Sequence, residues 1–337
     1  MSFKICFPFV GDSIGGSHVS SLNLIKNLKK LGFNIKIVVH QKGIYFDYLK
    51  KNKIDFDFLK INNLAGQDPN FFKVLFFSLK NFFKISKYIK QNKFDIIHGN
   101  DLRVNLNWSF ASIGKSKYIW HQRNFINKES LLFIPLLLFS SKIIVISKTV
   151  YQCLPLALKK KSKVIYNPID KIKLKNIKIN NKINVAYIGK PKFLKGFDIF
   201  LKVCEGMKSD KNFHFNVYGS NFKKTRKTFL VRGFTKIEKI INQNDILIAP
   251  SRKEGFGRSV IEFAMSRKKV IASNIKAHKE INDNFTNIIL IDNSSKNYID
   301  HLKNIKKTKI YVKKENLKKL DSKYHLKQVL KVYKNIK

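Results

Sequence analysis

Asp245-Ile246-Leu247-Ile248-Ala249-Pro250-Ser251-Arg252-Lys253-Glu254-Gly255-Phe256-Gly257-Arg258-Ser259-Val260-Ile261-Glu262 reads as a strand, a glycine-bearing loop and the start of a helix. The apolar run stops at Pro250, which has no ladder donor to continue a strand. A helix starting near Arg258 offers free N–H groups beyond the strand's carboxyl end, where an anionic diphosphate is favoured. Glu254 and Glu262 frame that helix start, with seven residues between them. On the residues alone a structural reading stands beside this one: Glu262 pairs with Arg258 at i,i+4, and Glu254 caps the helix.

Outward from this stretch the same unit recurs. Toward the C-terminus, Lys269–Ala272 and Asn287–Ile291 read as strands. Toward the N-terminus, Phe213–Tyr218 and Val185–Ile188 are strands, and Gly196–Met207 is a helix. A Lys/Asn-rich stretch, Lys171–Lys182, interrupts the alternation and reads as a linker. Before it, strands are expected at Phe3–Pro8, Asn34–Val39, Phe94–His98, Tyr118–Trp120, Ile143–Ile146 and Lys163–Tyr166, with helices at Ser17–Leu31 and Asn70–Gln91. Alternating strand and helix predicts a doubly wound α/β fold with parallel sheets. Two such halves follow one another, residues 1–168 and 169–320, and ligands of such sheets lie at the strands' carboxyl ends, which suggests a cleft between them. A final helix, residues 321–337, either caps its own domain or crosses back to the first.

The 337 residues are 44% hydrophobic and 26% charged, enough for two cores and too apolar for wholesale disorder. Cys6, Cys153 and Cys204 are too sparse for a disulfide framework or a close-spaced metal site. Lys and Arg number 67 against 22 acids, a net charge of +45. Such a surplus raises nucleic acid or anionic membrane as partners. Only seven of the 67 are Arg, and the excess is spread evenly: 27 bases to 8 acids over residues 1–165, 40 to 14 over 166–337. A nucleic-acid module concentrates its charge, so nucleic acid is not expected as a partner. No stretch reads as a signal peptide or membrane span, since the densest apolar run, Leu131–Phe139, is too short for a bilayer of roughly 30 Å. The expected location is the cytoplasm.

A second glycine loop, Gly11-Asp12-Ser13-Ile14-Gly15-Gly16-Ser17, lies between the first strand and first helix. It allows close approach of a phosphate or sugar; equally it is a tight turn with Ser17 as the helix cap. Asp55-Phe56-Asp57 looks like a D-x-D metal site, but Lys53–Lys60 alternates as a strand, and the pair reads as its solvated face. No third ligand is evident, and no metal site is expected.

Taken in order, the segments resemble the family-4 retaining glycosyltransferases of GT-B fold. Glu254-Gly255-Phe256-Gly257 through Glu262 resembles their Glu-x7-Glu signature, Gly15-Gly16-Ser17 their N-terminal glycine loop, and Asp95-Ile96-Ile97-His98 their D-I-I-H strand. Ile146-Ser147-Lys148, Ile165-Tyr166-Asn167-Pro168-Ile169-Asp170, Gly189-Lys190 with Lys195-Gly196, Asn244 through Ser251, and Val270 through Glu280 match further motifs. Three places depart from the pattern: Lys190 stands for an Arg, Asn167-Pro168 for Asn-Gly, and Arg267-Lys268-Lys269 for Gly-x-Pro. Lysine keeps the charge and loses the bidentate fork.

The resemblance implies a nucleotide-diphosphate sugar as donor, a retaining reaction and no metal cofactor. By it, Lys190 and Lys195 neutralise the leaving diphosphate, Gly15, Gly16, Gly257 and Arg258 line the donor site, and Glu262 holds the ribose hydroxyls. Glu254 holds the transferred sugar. His121 touches that sugar and supports positive charge at its anomeric carbon, with His98 as its rival. The implied acceptor is a saccharide or lipid-linked glycan of the cell envelope, lipopolysaccharide or capsule. A catalytically silent GT-B-like binding subunit at the membrane is the alternative. The basic, Phe-rich stretch Phe71–Tyr88 predicts contact with an anionic membrane surface, placing the protein on the inner face of the cell membrane.

Overall fold

The first apolar run becomes strand β1, Lys4–Phe9, with five of its six residues buried. It extends one residue past Pro8. Its ladder to the neighbouring strand on one side ends at Cys6, short of the proline, whose nitrogen has no proton to give. β1 belongs to a computed structural model that describes residues 3–65, 70–123, 125, 134, 138–170, 172, 174, 182–219, 222, 225–305 and 317–336. The expected linker and the apolar run Leu131–Phe139 lie largely outside the described residues. The chain divides into two units, Met1–Pro168 with Lys319–Lys337, and Ile169–Lys318.

In the first unit β1 is followed by α1 (Gly16–Lys30), β2 (Asn34–Val39), α2 (Ile44–Lys51), β3 (Asp57–Phe58), α3 (Phe71–Asn92), β4 (Ile96–Gly99) and α4 (Leu102–Ala111). Then come β5 (Lys117–Gln122), β6 (Lys142–Val145), α5 (Lys148–Gln152), α6 (Leu156–Lys159) and β7 (Ser162–Val164). Among the described residues these strands form one parallel sheet in the order β3-β2-β1-β4-β5-β6-β7. The order steps outward from β1 in both directions, so ligands are expected beyond the carboxyl ends of β1 and β4.

The second unit repeats the plan. It comprises β8 (Ile183–Ile188), a 3-10 turn (Phe193–Lys195), α7 (Phe197–Gly206), β9 (Phe213–Tyr218), β10 (Leu230–Gly233), α8 (Ile237–Gln243) and β11 (Ile246–Ala249). After these come α9 (Arg258–Met265), β12 (Lys269–Ser273), α10 (Lys276–Asn282), β13 (Ile288–Ile291) and α11 (Ser295–Lys303). The sheet order is β10-β9-β8-β11-β12-β13, again parallel. β10 has no apolar run to announce it; it is an edge strand of Leu-Val-Arg-Gly with no residue buried.

The last helix, α12 (Ser322–Lys334), joins the first unit. Val329, Val332 and Tyr333 enter the core made by Phe7, Phe9, Ile96, Ile119 and Ile144 of the sheet and Leu24, Ile25 and Leu28 of α1. Each such apolar side chain contributes roughly 2 kcal/mol by burial. Asp321 caps the helix by accepting from the N–H groups of Lys323 and Tyr324 at 2.8 and 3.1 Å. Ser322 bridges to Asn23 and Asn27 of α1, both at 2.9 Å.

Two expectations need correction. The strand read over Lys53–Lys60 is reduced to the two residues of β3. Asp55 is exposed, and Asp57, with 36% of its side chain in solvent, also accepts from Lys36 Nζ at 2.9 Å and from the Tyr88 hydroxyl at 2.5 Å. The last strand of the first unit ends at Val164 rather than Tyr166.

Candidate functional site

In the second unit the loop after β11 is assembled from both sides. Gly196 follows the 3-10 turn with φ +67°, and a Cβ there would sit 1.8 Å from the Pro250 carbonyl oxygen. Only glycine tolerates both the conformation and that approach. The turn is thereby seated against the end of β11, where Arg252 N–H donates to the Leu194 carbonyl at 2.9 Å. The Arg252 guanidinium lies 3.7 Å from the centre of the Phe193 ring and donates to both Asp198 carboxylate oxygens at 2.6 and 2.7 Å. This clamp brings Lys195 into contact with Glu254, whose carboxylate accepts from the lysine ammonium and, at 3.4 Å, from Ser251 Oγ. Glu254 is therefore an ion-pair partner and not a helix cap.

Gly257 occupies the N-cap of α9 with φ +71°, and no side chain caps that helix. A helix start without a side-chain cap is where an anion is favoured. Glu262, on the next turn, is 5% exposed and accepts from Arg258 Nε at 2.7 Å, so the i,i+4 pair read from the sequence is present. Burial raises the Glu262 carboxyl above its ordinary value, and the Arg258 charge opposes this. His278, buried beside Gly257, hydrogen-bonds the Ser273 carbonyl at 2.9 Å, and Ser273 Oγ donates to the Ser251 carbonyl at 2.5 Å. These two polar residues brace the loop from beneath, and sequence reasoning did not single them out. Lys190 is exposed, and its ammonium makes no hydrogen bond or ion pair among the described residues.

In the first unit, Gly15 is the N-cap of α1 and no side chain caps the helix, so Ser17 is not its cap. Instead the His18 ring turns back, Nδ1 accepting from the Gly15 N–H at 3.2 Å. A Cβ on Gly15 would meet nothing within 4 Å; the chain itself does not require glycine there, and the space before it is open. Gly16 opens the helix.

His121, near the end of β5, is 1% exposed, and its Nε2 has no hydrogen-bond partner among the described residues. His98, its rival on sequence, is its neighbour: His98 Nε2 lies 3.1 Å from His121 Nδ1, and His98 Nδ1 lies 2.7 Å from the Tyr333 hydroxyl. Burial, with the nearby Arg123 charge, holds both imidazoles well below their usual range. Arg123 is the residue that sequence reading passed over. Its guanidinium donates to Asn100 at 2.8 Å, Asn167 at 2.7 Å and Ser21 at 3.0 Å. The signal was present, since Asn100 follows the D-I-I-H strand and Asn167 lies in a matched motif.

The α3 helix carries a second surface. Val74, Ser78, Ile85, Ser86 and Ile89 face inward. Phe72, Leu75, Phe76, Leu79 and Phe83 form a separate outward stripe, with Phe72 and Phe83 77% and 78% exposed. Lysines 73, 80, 84, 87 and 90 accompany them, with no acid in the helix. Among the described residues no helix is long and apolar enough to cross a membrane, and no group of three or more His, Cys, Asp or Glu is placed to hold a metal ion.

Two families match the chain in succession: Glycosyltransferase Family 4 over residues 14–172 and Glycosyl transferases group 1 over residues 182–307. An uncharacterized 41.2 kDa protein in the cps region of Klebsiella pneumoniae is 30% identical over 246 residues, 62% of this chain and 68% of that one. The O-antigen biosynthesis glycosyltransferase WclY of Escherichia coli is 26% identical over 333 residues, 86% of this chain and 89% of its own. The crystal structure of Anabaena Alr3699/HepE in complex with UDP and glucose superposes with a TM-score of 0.76 at 14% identity, covering 98% of this chain and 99% of that one.

Proposed function

Because the chain belongs to the family-4 glycosyltransferases and has their GT-B fold, we propose that it moves a sugar, with retention, from a nucleotide-diphosphate donor to a cell-envelope glycan. The observation that carries this is the loop between β11 and α9. An uncapped helix N-terminus, a lysine held beside Glu254 and a buried carboxylate on the following turn suit a diphosphate, a sugar and a ribose in that order.

In this reading Lys195, Lys190 and the α9 N–H groups take the charge of the departing diphosphate, a task that in other sites falls to a metal ion. Arg258 and Gly257 border the same anion, and Glu262 accepts from the ribose diol. Gly15 and Gly16 admit the donor to the first unit's backbone. Glu254 orients the transferred sugar, and His121 donates to one of its oxygens. The leaving phosphate takes the acceptor's proton on the face it departs from, so no protein base is required. The UDP and glucose of the Anabaena complex support a uridine nucleotide as donor. The O-antigen and cps-region relatives support an acceptor of surface polysaccharide, built on a lipid carrier. The exposed α3 stripe supports a peripheral position on the inner face of the membrane, where such an acceptor resides.

A thermal-shift and turnover screen over nucleotide sugars tests this. One donor is expected to raise the melting temperature, since ligand at a hundred times Kd stabilises by about 2.7 kcal/mol. The same donor should be turned over slowly without acceptor, and EDTA should leave that rate unchanged. A rate abolished by EDTA and restored by Mn²⁺ would overturn the lysine reading. Absence of any nucleotide-sugar binding or turnover would leave the silent binding subunit.

A further inference from the structure

His121 is one of six side chains with a buried polar atom that has no partner among the described residues, and its surroundings dictate which of its nitrogens carries the proton. His98 pairs with Ile119 across β4 and β5, so strand alternation places His98 and His121 on one face of the sheet. Phe7 stacks on His98 at 5.0 Å, and α12 lays Tyr333 over the pair, all three side chains being at most 1% exposed. Two groups face His121 Nδ1: His98 Nε2 at 3.1 Å and Arg123 Nη2 at 3.4 Å. The two Nη2 protons already go to Asn100 and Ser21, so the guanidinium meets Nδ1 as a positive charge with no lone pair to offer. A proton there is disfavoured, and Nδ1 is left to accept from His98. His98 Nε2 must then carry hydrogen and donate. In a neutral ring this leaves His98 Nδ1 as an acceptor, and the Tyr333 hydroxyl donates to it at 2.7 Å. Every bond runs in the same direction, and the remaining proton of His121 falls on Nε2, the atom without a partner among the described residues.

We infer that Tyr333 and His98 are positioning residues that fix the His121 imidazole as the neutral Nε2–H tautomer, a hydrogen-bond donor kept for an oxygen of the bound sugar. The inference rests on the proposed function for the sugar; the tautomer itself does not. Arg123 and His325 are the other basic groups facing the pair, and with burial they disfavour a second proton on either ring. A charged imidazolium would repel the oxocarbenium-like sugar of a glycosyl transfer, whereas a neutral N–H orients an oxygen without adding positive charge. The geometry also gives the returning C-terminal helix a task in the site, through one hydroxyl.

The experiment is long-range ¹H–¹⁵N correlation of the imidazoles in the ¹⁵N-labelled full chain at pH 7, alongside donor kinetics. His98 and His121 are both expected as Nε2–H tautomers. Tyr333→Phe removes only the hydroxyl, and His98→Leu removes the donor. Both should turn the His121 signal into a tautomer average and lower kcat about tenfold, with the donor KM within twofold. His98→Gln, whose amide donates in place of Nε2, should recover most of the rate. His121 as Nδ1–H or imidazolium in the wild type would overturn the relay. So would an unchanged signal and kcat in Tyr333→Phe, which keeps the packing if His98→Leu does not fold. The expected tautomer in a protein that transfers no sugar would uphold the relay and count against glycosyl transfer instead.

Discussion

Glu254 and Glu262 sit eight positions apart and meet opposite conditions. Glu254 is partly exposed beside a mobile type of partner, a lysine with 36% of its side chain in solvent. Such a pair adds little to stability, so its value lies in orientation. Glu254→Gln is expected to keep the fold and the nucleotide affinity while lowering kcat about a hundredfold, roughly 3 kcal/mol of lost orientation and charge stabilisation. Glu262 is buried with Arg258. Glu262→Gln should raise the donor KM about tenfold through weakened charge-assisted bonds to ribose, and lower kcat less. Because burial raises the Glu262 carboxyl, it takes up a proton at higher pH than an exposed glutamate. Donor affinity should therefore fall on acidification before exposed carboxylates titrate. Melting temperature and steady-state kinetics on the two variants decide between roles: two destabilised proteins with full turnover would leave both carboxylates merely structural.

At the scale of an element, α3 is the instructive case. A helix in a doubly wound fold needs one apolar stripe, and α3 has that stripe in Val74, Ser78, Ile85 and Ile89. The second stripe, from Phe72 to Phe83, is exposed among the described residues. Phe82 lies 4.8 Å from Phe110, which lies 5.3 Å from Phe139, and Leu138 beside it is 62% exposed, so the apolar surface continues past the helix. With lysines around it, this face should take the protein onto anionic vesicles and not onto neutral ones, less at high salt. Replacing Phe72, Phe76 and Phe83 together by Ser is expected to leave the melting temperature unchanged and reduce vesicle pelleting at least tenfold. Full pelleting by the folded triple variant would remove α3 from the contact; a wild type that dimerises instead of pelleting would assign the face to a second copy.

Across the whole molecule the histidines are unevenly placed. His18, His40 and His325 of the first unit are held neutral by burial at about 4, and His98 and His121 lie well below their ordinary value. In the second unit burial lowers His278. A histidine depressed in the folded state stabilises above its unfolded value near 6.5, and that stability is lost as pH falls below it. At pH 5 each group at about 4 accounts for about 2 kcal/mol of the loss. Hydrogen exchange at pH 5 against pH 7 should thus show protection falling further in β1, β4, β5 and α12 than in β8 and β11. Equal loss in both units would contradict this assignment.

The strand–helix alternation, the parallel sheets and the loop from Pro250 to Glu262 were readable in the sequence, because local apolar runs and glycine spacing report local backbone structure. The Arg258–Glu262 pair was also legible, being one helical turn long. What only the tertiary structure decided involves residues far apart in the chain. The contact of Lys195 with Glu254 depends on Gly196 approaching Pro250, and the anchoring of Arg123 depends on Asn100, Asn167 and Ser21 converging from three segments. His98 and His121 looked like alternatives in sequence and are hydrogen-bonded neighbours in space, ordered by a tyrosine 235 residues from His98. Parallel strand pairing makes these encounters: it sets side by side the carboxyl ends of strands whose sequence separation is spent on crossover helices, and no local pattern records which side chains will meet there.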